Sequence, residues 1–101
     1  MHIEYNYANI ESSDALQEHV EQQLESHVGH MYKHLTGFEV HFGDENSTKK
    51  HGAADKRCTI EARPRGRDPI TVEAHADDFY PAVNDAVHKL RSALTSRLER
   101  D

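Results

Sequence analysis

Hydrophobic residues alternate with polar ones in four short stretches, the pattern of strands that bury one face. The first two stretches read HIEYNYA, residues 2–8, and GFEVHFG, residues 37–43. The other two read KRCTIEAR, residues 56–63, and ITVEAHA, residues 70–76. Between these last two lies PRGRDP, which contains two prolines and a glycine, so the pair is predicted to form an antiparallel hairpin.

Two other stretches repeat their hydrophobic residues at steps of three and four, as amphipathic helices do. The first helix is predicted over residues 14–34, with Ser13 as its N-cap, although Gly29 weakens its last turns. Its apolar residues are Leu16, Val20, Leu24, Val28 and Met31. The second helix is predicted to begin at an N-cap formed by Asp77 or Asp78. Its apolar stripe consists of Phe79, Val83, Ala86, Val87, Leu90, Leu94 and Leu98.

The predicted order of elements is βαβββα, in a single domain spanning residues 1–101. Four strands with one apolar face need both helices on that face, which predicts an α+β fold with a four-stranded sheet and two helices packed on one side. The first two strands, joined by a helix, are expected to be parallel neighbours. The polar segment over residues 44–54 has no periodicity and is predicted to be a mobile loop. The opposite face of the sheet is expected to be open and lined by His2, Glu4, Asn6, Glu39, His41, Thr59, Glu61, Thr71, Glu73 and His75.

Charge is distributed unevenly along this acidic chain, whose formal net charge is −6. Residues 1–48 contain nine acidic residues and one basic residue, a balance of −8. Residues 49–101 contain eleven basic and nine acidic residues, a balance of +2. Such asymmetry indicates an anionic partner that is approached from one side, with ordinary solvated surface as the alternative.

Several functional classes lack their sequence signals. The N-terminus has no signal-peptide pattern, and no run of about 18 apolar residues predicts a membrane span. Because Cys58 is the only cysteine, no internal disulfide can form, which favours a cytoplasmic location. The motifs GxSxG, HExxH and the P-loop are absent, so we expect no enzyme activity, no cofactor and no small-molecule substrate.

The segment ADDFYPAVNDAVHKLRSAL, residues 76–94, resembles the signature of ribosome hibernation-promoting factors and ribosome-associated inhibitors. In that family an acidic residue, Asp, an apolar residue and Tyr open the last helix, followed by an Ala-apolar pair and a KL…QL run. The positions that match are Asp77, Asp78, Phe79, Tyr80, Ala82, Val83, Lys89, Leu90 and Leu94, whereas Ala93 stands where Gln is frequent. The opening strand and Ser13 before ALQEHV also fit, so the resemblance covers nearly the whole chain and is to the short form of the family.

This resemblance implies a βαβββα fold similar to double-stranded RNA-binding domains. It also implies binding to the small ribosomal subunit, in the channel used by mRNA and tRNA, which silences or preserves ribosomes under stress. The implied partners are that subunit and its ribosomal RNA, whose phosphates attract Lys and Arg. At the matching positions, Lys89 is the first candidate for a phosphate contact. The RNA-binding candidates are Lys89, Arg91, Arg97 and Arg100 on the last helix, and Arg57, Arg63, Arg65 and Arg67 on the hairpin.

The first helix departs from the family pattern, in which this helix is often basic. Here it carries four acidic residues, and its only Lys or Arg is Lys33. These acidic residues are Asp14, Glu18, Glu21 and Glu25. A protein-interaction module on the same fold, using this acidic helix or the open sheet, is therefore an alternative interpretation.

The nine histidines leave a third interpretation, a pH- or metal-responsive module. His27, His30 and His34 follow one another at steps of three and four, so they are weak candidates for zinc or nickel ligands, with solvated histidines as the alternative. Protonation of all nine histidines would move the formal net charge from −6 to +3. Because histidine titrates near pH 6.5, we hypothesise that acidification strengthens RNA binding.

Overall fold

The computed structural model describes residues 1–45 and 54–99, which form a βαβββα arrangement as predicted. The strands are β1 (Ile3–Ala8), β2 (Leu35–Asp44), β3 (Lys56–Pro64) and β4 (Ile70–Ala76), and the helices are α1 (Asp14–Val28) and α2 (Phe79–Glu99). Most of the loop predicted over residues 44–54 lies outside the described residues. Arg100 also lies outside them.

The sheet has the strand order β1-β2-β3-β4. β1 pairs with β2 in parallel, whereas β2, β3 and β4 pair antiparallel, which confirms both predicted pairings. In this register Val40 lies beside Tyr5 and Ile60, and Ile60 lies beside Val72. An apolar row therefore crosses all four strands on the face that the helices cover.

Both helices bury their apolar stripes in one core against this face of the sheet. Leu24 of α1, Phe42 of β2 and Leu90 of α2 are all fully buried in the same hydrophobic cluster. Full burial of such a side chain contributes about 2 kcal/mol. Within residues 1–45 and 54–99, no polar or charged residue is buried. The charged side chains of these residues consequently lie at the surface, on the open sheet face, the sheet edges, the turns and the outer surfaces of the helices.

The first helix begins as predicted but ends earlier. The Ser13 hydroxyl accepts a hydrogen bond from the Leu16 backbone amide at 3.1 Å, which confirms the N-cap. At Val28 the backbone leaves the helical region, with φ −128° and ψ 6°, and Gly29–His34 form a 3-10 helix. The prediction of one α-helix over residues 14–34 is thus wrong for its last six residues. Gly29 weakens helix propagation, and the tighter turn still places Met31 in the core.

The second helix begins directly after Asp78. The Asp78 carbonyl accepts a hydrogen bond from the Ala82 amide at 3.3 Å, so Asp78 rather than Asp77 occupies the N-cap position. Pro81 is the third helical residue, where a missing N–H leaves no intrahelical bond unmade. α2 then continues to Glu99 and carries its basic residues past β4 and the β3–β4 turn.

Candidate nucleic-acid interface

The turn between β3 and β4 is shaped by one glycine and attached to a distant segment. Gly66 has φ +69°, a conformation that residues with a side chain rarely adopt. The Arg65 amide donates a hydrogen bond to the His34 carbonyl at 2.8 Å. This bond joins the turn to the end of the 3-10 helix, so two residues 31 positions apart in sequence meet on one surface.

We call this surface the turn end, formed by the last residues of the 3-10 helix, the β3–β4 turn and the last turns of α2. Its basic residues are Lys33, Arg65, Arg67 and Arg97. Arg65 Nε donates to the Lys33 carbonyl at 3.2 Å, and Arg97 Nη1 donates to the Asp68 carbonyl at 3.3 Å. A carbonyl oxygen carries only a partial charge. Among the described residues neither Arg65 nor Arg97 forms an ion pair, so both keep a full positive charge.

Arg67 also ties the turn to α2. Its Nη1 donates to the Arg97 carbonyl at 3.0 Å. That carbonyl is among the last four of the helix, which lack intrahelical partners. The negative end of the helix dipole stabilises a positively charged guanidinium group at this position. The predicted candidates Arg65, Arg67 and Arg97 are therefore brought together, along with Lys33, which was not predicted from the sequence.

Lys89 and Arg91 lie on different sides of α2. Lys89 Nζ donates to the Glu73 carbonyl at 2.8 Å, at the edge strand β4. Arg91 follows His88 by three residues and therefore shares its side of the helix, where His88 contacts α1. Lys89 precedes Arg97 by eight residues, about 12 Å along the helix axis. The turn end and Lys89 can thus face one extended partner along the β4 edge.

The open sheet face holds Arg63 between two carboxylates. Glu39 and Glu61 are direct neighbours in the β2–β3 register, an arrangement that destabilises a sheet when both are charged. Arg63 Nη2 donates to Glu39 Oε1 at 2.9 Å and to Glu61 Oε1 at 3.1 Å. These three side chains are only 35%, 24% and 27% exposed, so the guanidinium offsets a repulsion that water screens incompletely.

Arg57 is held in a similar way at the other end of the same face. Its Nε donates to Glu45 Oε2 at 3.0 Å. The guanidinium lies over Gly43, where a Cβ atom would collide with it. His75 Nε2 lies 3.0 Å from the second oxygen of Glu45. Carboxylates on the sheet therefore offset the charges of the candidates Arg57 and Arg63, and neither residue is part of the turn end.

The described part of the open sheet face is negative when its histidines are neutral. Two arginines there, Arg57 and Arg63, face a larger number of carboxylates. These carboxylates belong to Glu4, Glu39, Glu45, Glu61 and Glu73. Phosphate groups approaching this face would meet net repulsion.

Two acidic residues of α1, Glu21 and Glu25, lie beside the β1 edge of the sheet. Tyr5 of β1 donates its hydroxyl to Glu21 Oε2 at 3.2 Å. Burial, followed by the charge of Glu21, raises the pKa of Tyr5. Burial and the charges of Glu25 and Glu21 raise the pKa of Tyr32 to about 12. A concave region of about 420 Å³ lies between Tyr32, these two glutamates and the start of β1.

The structure does not bring the three candidate metal-binding histidines together. His27 packs against His88 of α2, whereas His30 and His34 line a cavity of about 320 Å³ beside the end of α2. The change from α-helix to 3-10 helix after Val28 alters the angles between the three side chains. Across residues 1–45 and 54–99, no three or more His, Cys, Asp and Glu side chains are grouped to hold a metal ion.

Two further observations concern the single cysteine and membranes. Cys58 is fully buried, and burial raises the pKa of its thiol to about 12, so it behaves as a small core residue. Among the described helices, none combines the length and apolar character needed to span a bilayer.

Two solved structures are similar to this chain over most of its length. A ribosomal subunit interface protein from Coxiella burnetii is 23% identical, with a TM-score of 0.80, over 98% of this chain and 99% of that chain. The N-terminal domain of Protein Y from Thermus thermophilus is also 23% identical, with a TM-score of 0.67, over 92% of this chain and 94% of that chain. At these identities the likeness establishes the fold.

The family assignment comes from the sequence as a whole. No curated protein matches the chain significantly. The family described as Sigma 54 modulation protein / S30EA ribosomal protein matches residues 3–101. This match covers far more than half of the chain and agrees with the resemblance carried by the last helix. The chain therefore belongs to the Sigma 54 modulation protein / S30EA ribosomal protein family, a family of ribosome-associated factors.

Proposed function

We propose that this protein binds the small ribosomal subunit in the channel for mRNA and tRNA and thereby silences or preserves ribosomes under stress. Family membership supports a ribosomal partner. Such a protein acts by occupying a site rather than by catalysis, and it works in the cytoplasm, where the ribosomes are. No cofactor or small-molecule substrate is part of this function.

The observation that carries the proposal is the way in which the turn end holds its basic side chains. Arg65 and Arg97 donate to main-chain carbonyls, so their charges remain available to phosphate. Lys89, which also donates to a carbonyl, extends the same surface along β4. Folded ribosomal RNA is contacted largely through its backbone, which suits a row of cations without base-reading geometry.

The remaining candidates rank below this set. Arg91 is exposed, but it lies on the side of α2 that faces α1. Arg57 and Arg63 are paired with carboxylates, so we assign them first to the stability of the sheet. Arg100 lies outside the described residues and stays a prediction from the sequence.

Co-sedimentation with vacant small subunits on sucrose gradients tests the proposal. We expect the protein to travel with the subunit at low salt and to be released as salt rises. Lys89→Gln should weaken binding several-fold and lower the salt slope by about 0.7 to 1, because one phosphate contact is lost. The matched control is Lys56→Gln, since Lys56 already pairs with Asp44 and Asp55. Absence from the subunit fractions, or binding indifferent to salt, would contradict the proposal.

One observation favours a second candidate function, recognition of a basic protein. Among the described residues, Asp14, Glu18 and Glu25 of α1 have no Lys or Arg partner. A basic ribosomal protein beside the RNA would complement this acidic surface of α1. Glu18→Gln combined with Glu25→Gln would then weaken subunit binding. RNA contact alone predicts unchanged or slightly stronger binding for the same variant.

A further inference from the structure

We propose that His27 and His88 form a two-histidine site for a divalent transition-metal ion that links α1 to α2. The two imidazole rings come from different helices, with centroids 4.6 Å apart and planes inclined at 57°. This site is separate from the turn end, and it stands or falls independently of ribosome binding. The imidazole ligands suit Ni²⁺, Cu²⁺ and Zn²⁺ rather than Mg²⁺ or Ca²⁺.

The separation of the rings fits a shared ion. Two imidazoles that each place a nitrogen about 2.1 Å from one metal, at angles of roughly 90° to 109°, have centroids roughly 4.5 to 5.2 Å apart. The observed 4.6 Å lies at the short end of this range, which corresponds to an angle near a right angle. Imidazole ligands bind Cu²⁺ and Ni²⁺ strongly, and both ions accept neighbouring ligands at right angles, so these two ions are the first to test.

Both rings are available for coordination. Within the described part of the chain, neither His27 nor His88 forms a hydrogen bond, and the ring contact of each is with the other. His19, two turns earlier on α1, provides a contrast because its Nε2 is 2.7 Å from Asn84 Oδ1. His88 is exposed and His27 is half-buried, so an ion can reach the pair from solvent.

The scaffold around the pair is rigid and electrically balanced. Val28, next to His27, and Val87, next to His88, are fully buried in the core, so both backbones are held in place. On α2, one acidic and one basic residue, Asp85 and Arg91, lie three positions from His88 on either side, and their charges offset each other. Because no third His, Cys, Asp or Glu joins the pair among the described residues, water completes the coordination.

Calorimetric titration of tag-free protein with NiCl₂, CuSO₄ and ZnCl₂ tests the site directly. We expect one ion per chain and a melting temperature that rises with metal concentration, because the ion binds the folded state. Affinity should follow the order Cu²⁺ > Ni²⁺, as for imidazole sites generally. Either His27→Gln or His88→Gln should weaken binding by roughly a hundredfold, since two linked ligands then become one.

The matched control is His30→Gln, which removes the next histidine in the chain and should leave the affinity unchanged. Circular dichroism confirms that each variant is folded, and the exposed His88 offers the variant least able to disturb the core. Proton NMR adds a second readout, since Ni²⁺ or Cu²⁺ should broaden the ring signals of His27 and His88 first. Equal affinity in all three variants, loss of binding in His30→Gln, or no binding at millimolar metal would overturn the proposal.

Discussion

Two arginines only two residues apart are held in opposite electrostatic settings. Arg63, on the open sheet face, donates to the carboxylates of Glu39 and Glu61. Arg65, at the turn end, donates to the carbonyl of Lys33. Both side chains are guanidinium groups on one hairpin, yet two carboxylates offset the charge of Arg63, whereas no carboxylate of the described residues pairs with Arg65. The charge offered to an anionic partner therefore depends on what each arginine contacts, more than on how many arginines are present.

The difference follows from the geometry of the two regions. In a sheet, register places side chains of neighbouring strands about 5 Å apart on the same face, so an arginine beside two glutamates pairs with them. A turn has no such register. Its side chains reach instead for the unpaired carbonyls found at helix ends and in loops. Turns and helix ends can thus leave cations available, as Arg65 and Arg97 show at the turn end.

The largest test of this contrast removes two arginines from each region. Arg65→Gln with Arg97→Gln should weaken binding to the small subunit by on the order of a hundredfold and lower the salt slope by roughly 1.4 to 2. Arg57→Gln with Arg63→Gln removes the same formal charge and should change the affinity far less. Gradient co-sedimentation at two salt concentrations measures both effects. A larger loss from the sheet pair would reverse our assignment of the two regions.

A smaller effect, on stability, should show the opposite ranking. Arg63→Gln leaves Glu39 and Glu61 facing each other and should lower the free energy of unfolding by about 1 kcal/mol, a value reduced by their partial exposure. Arg65→Gln should stay within about 0.5 kcal/mol of the parent, because no carboxylate depends on it. Urea unfolding measures both variants. Adding Glu61→Gln to Arg63→Gln should restore part of the lost stability. If the effects of the two substitutions on the free energy of unfolding were fully additive, Arg63 would not be interacting with Glu61.

Glu21 and Glu25, which lie beside the β1 edge, sharpen the comparison because tyrosines rather than an arginine lie next to them. With the pKa of Tyr32 raised to about 12 from its ordinary 10.0, the unfolded chain loses this proton at lower pH than the folded chain does. The contribution of Tyr32 to stability is therefore fully present below pH 10 and is lost as pH rises from about 10 to 12. Tyr32→Phe should flatten this fall, as measured by urea unfolding at several alkaline pH values. Tyr80→Phe, at an exposed site, is the control, and equal slopes would count against the role of Tyr32.

Much of the fold was predictable because its signals are local. Alternation located the four strands, and three- and four-residue steps located the two helices. The Ser13 cap was predictable because its hydrogen bond spans three residues. The 3-10 helix after Val28 was not predicted from the sequence. The helical spacing of apolar residues continues to Met31 although Gly29 weakens a helix, so the segment could continue as an α-helix or tighten into a 3-10 helix. The choice depends on how Met31 packs in the core.

For the candidate interface, too, local sequence patterns predicted some features and tertiary contacts decided others. The sequence by itself determined the fold class, the composition of the core and the family, since each of these rests on periodic patterns or on the motif in the last helix. Only the tertiary structure decided which arginines pair with carboxylates and which donate to main-chain carbonyls, and it added Lys33 to the turn end. Arg63 meets Glu39 across 24 positions, and Arg65 meets Lys33 across 32. Contacts at such separations arise from strand register and helix packing, which no local pattern of residues specifies.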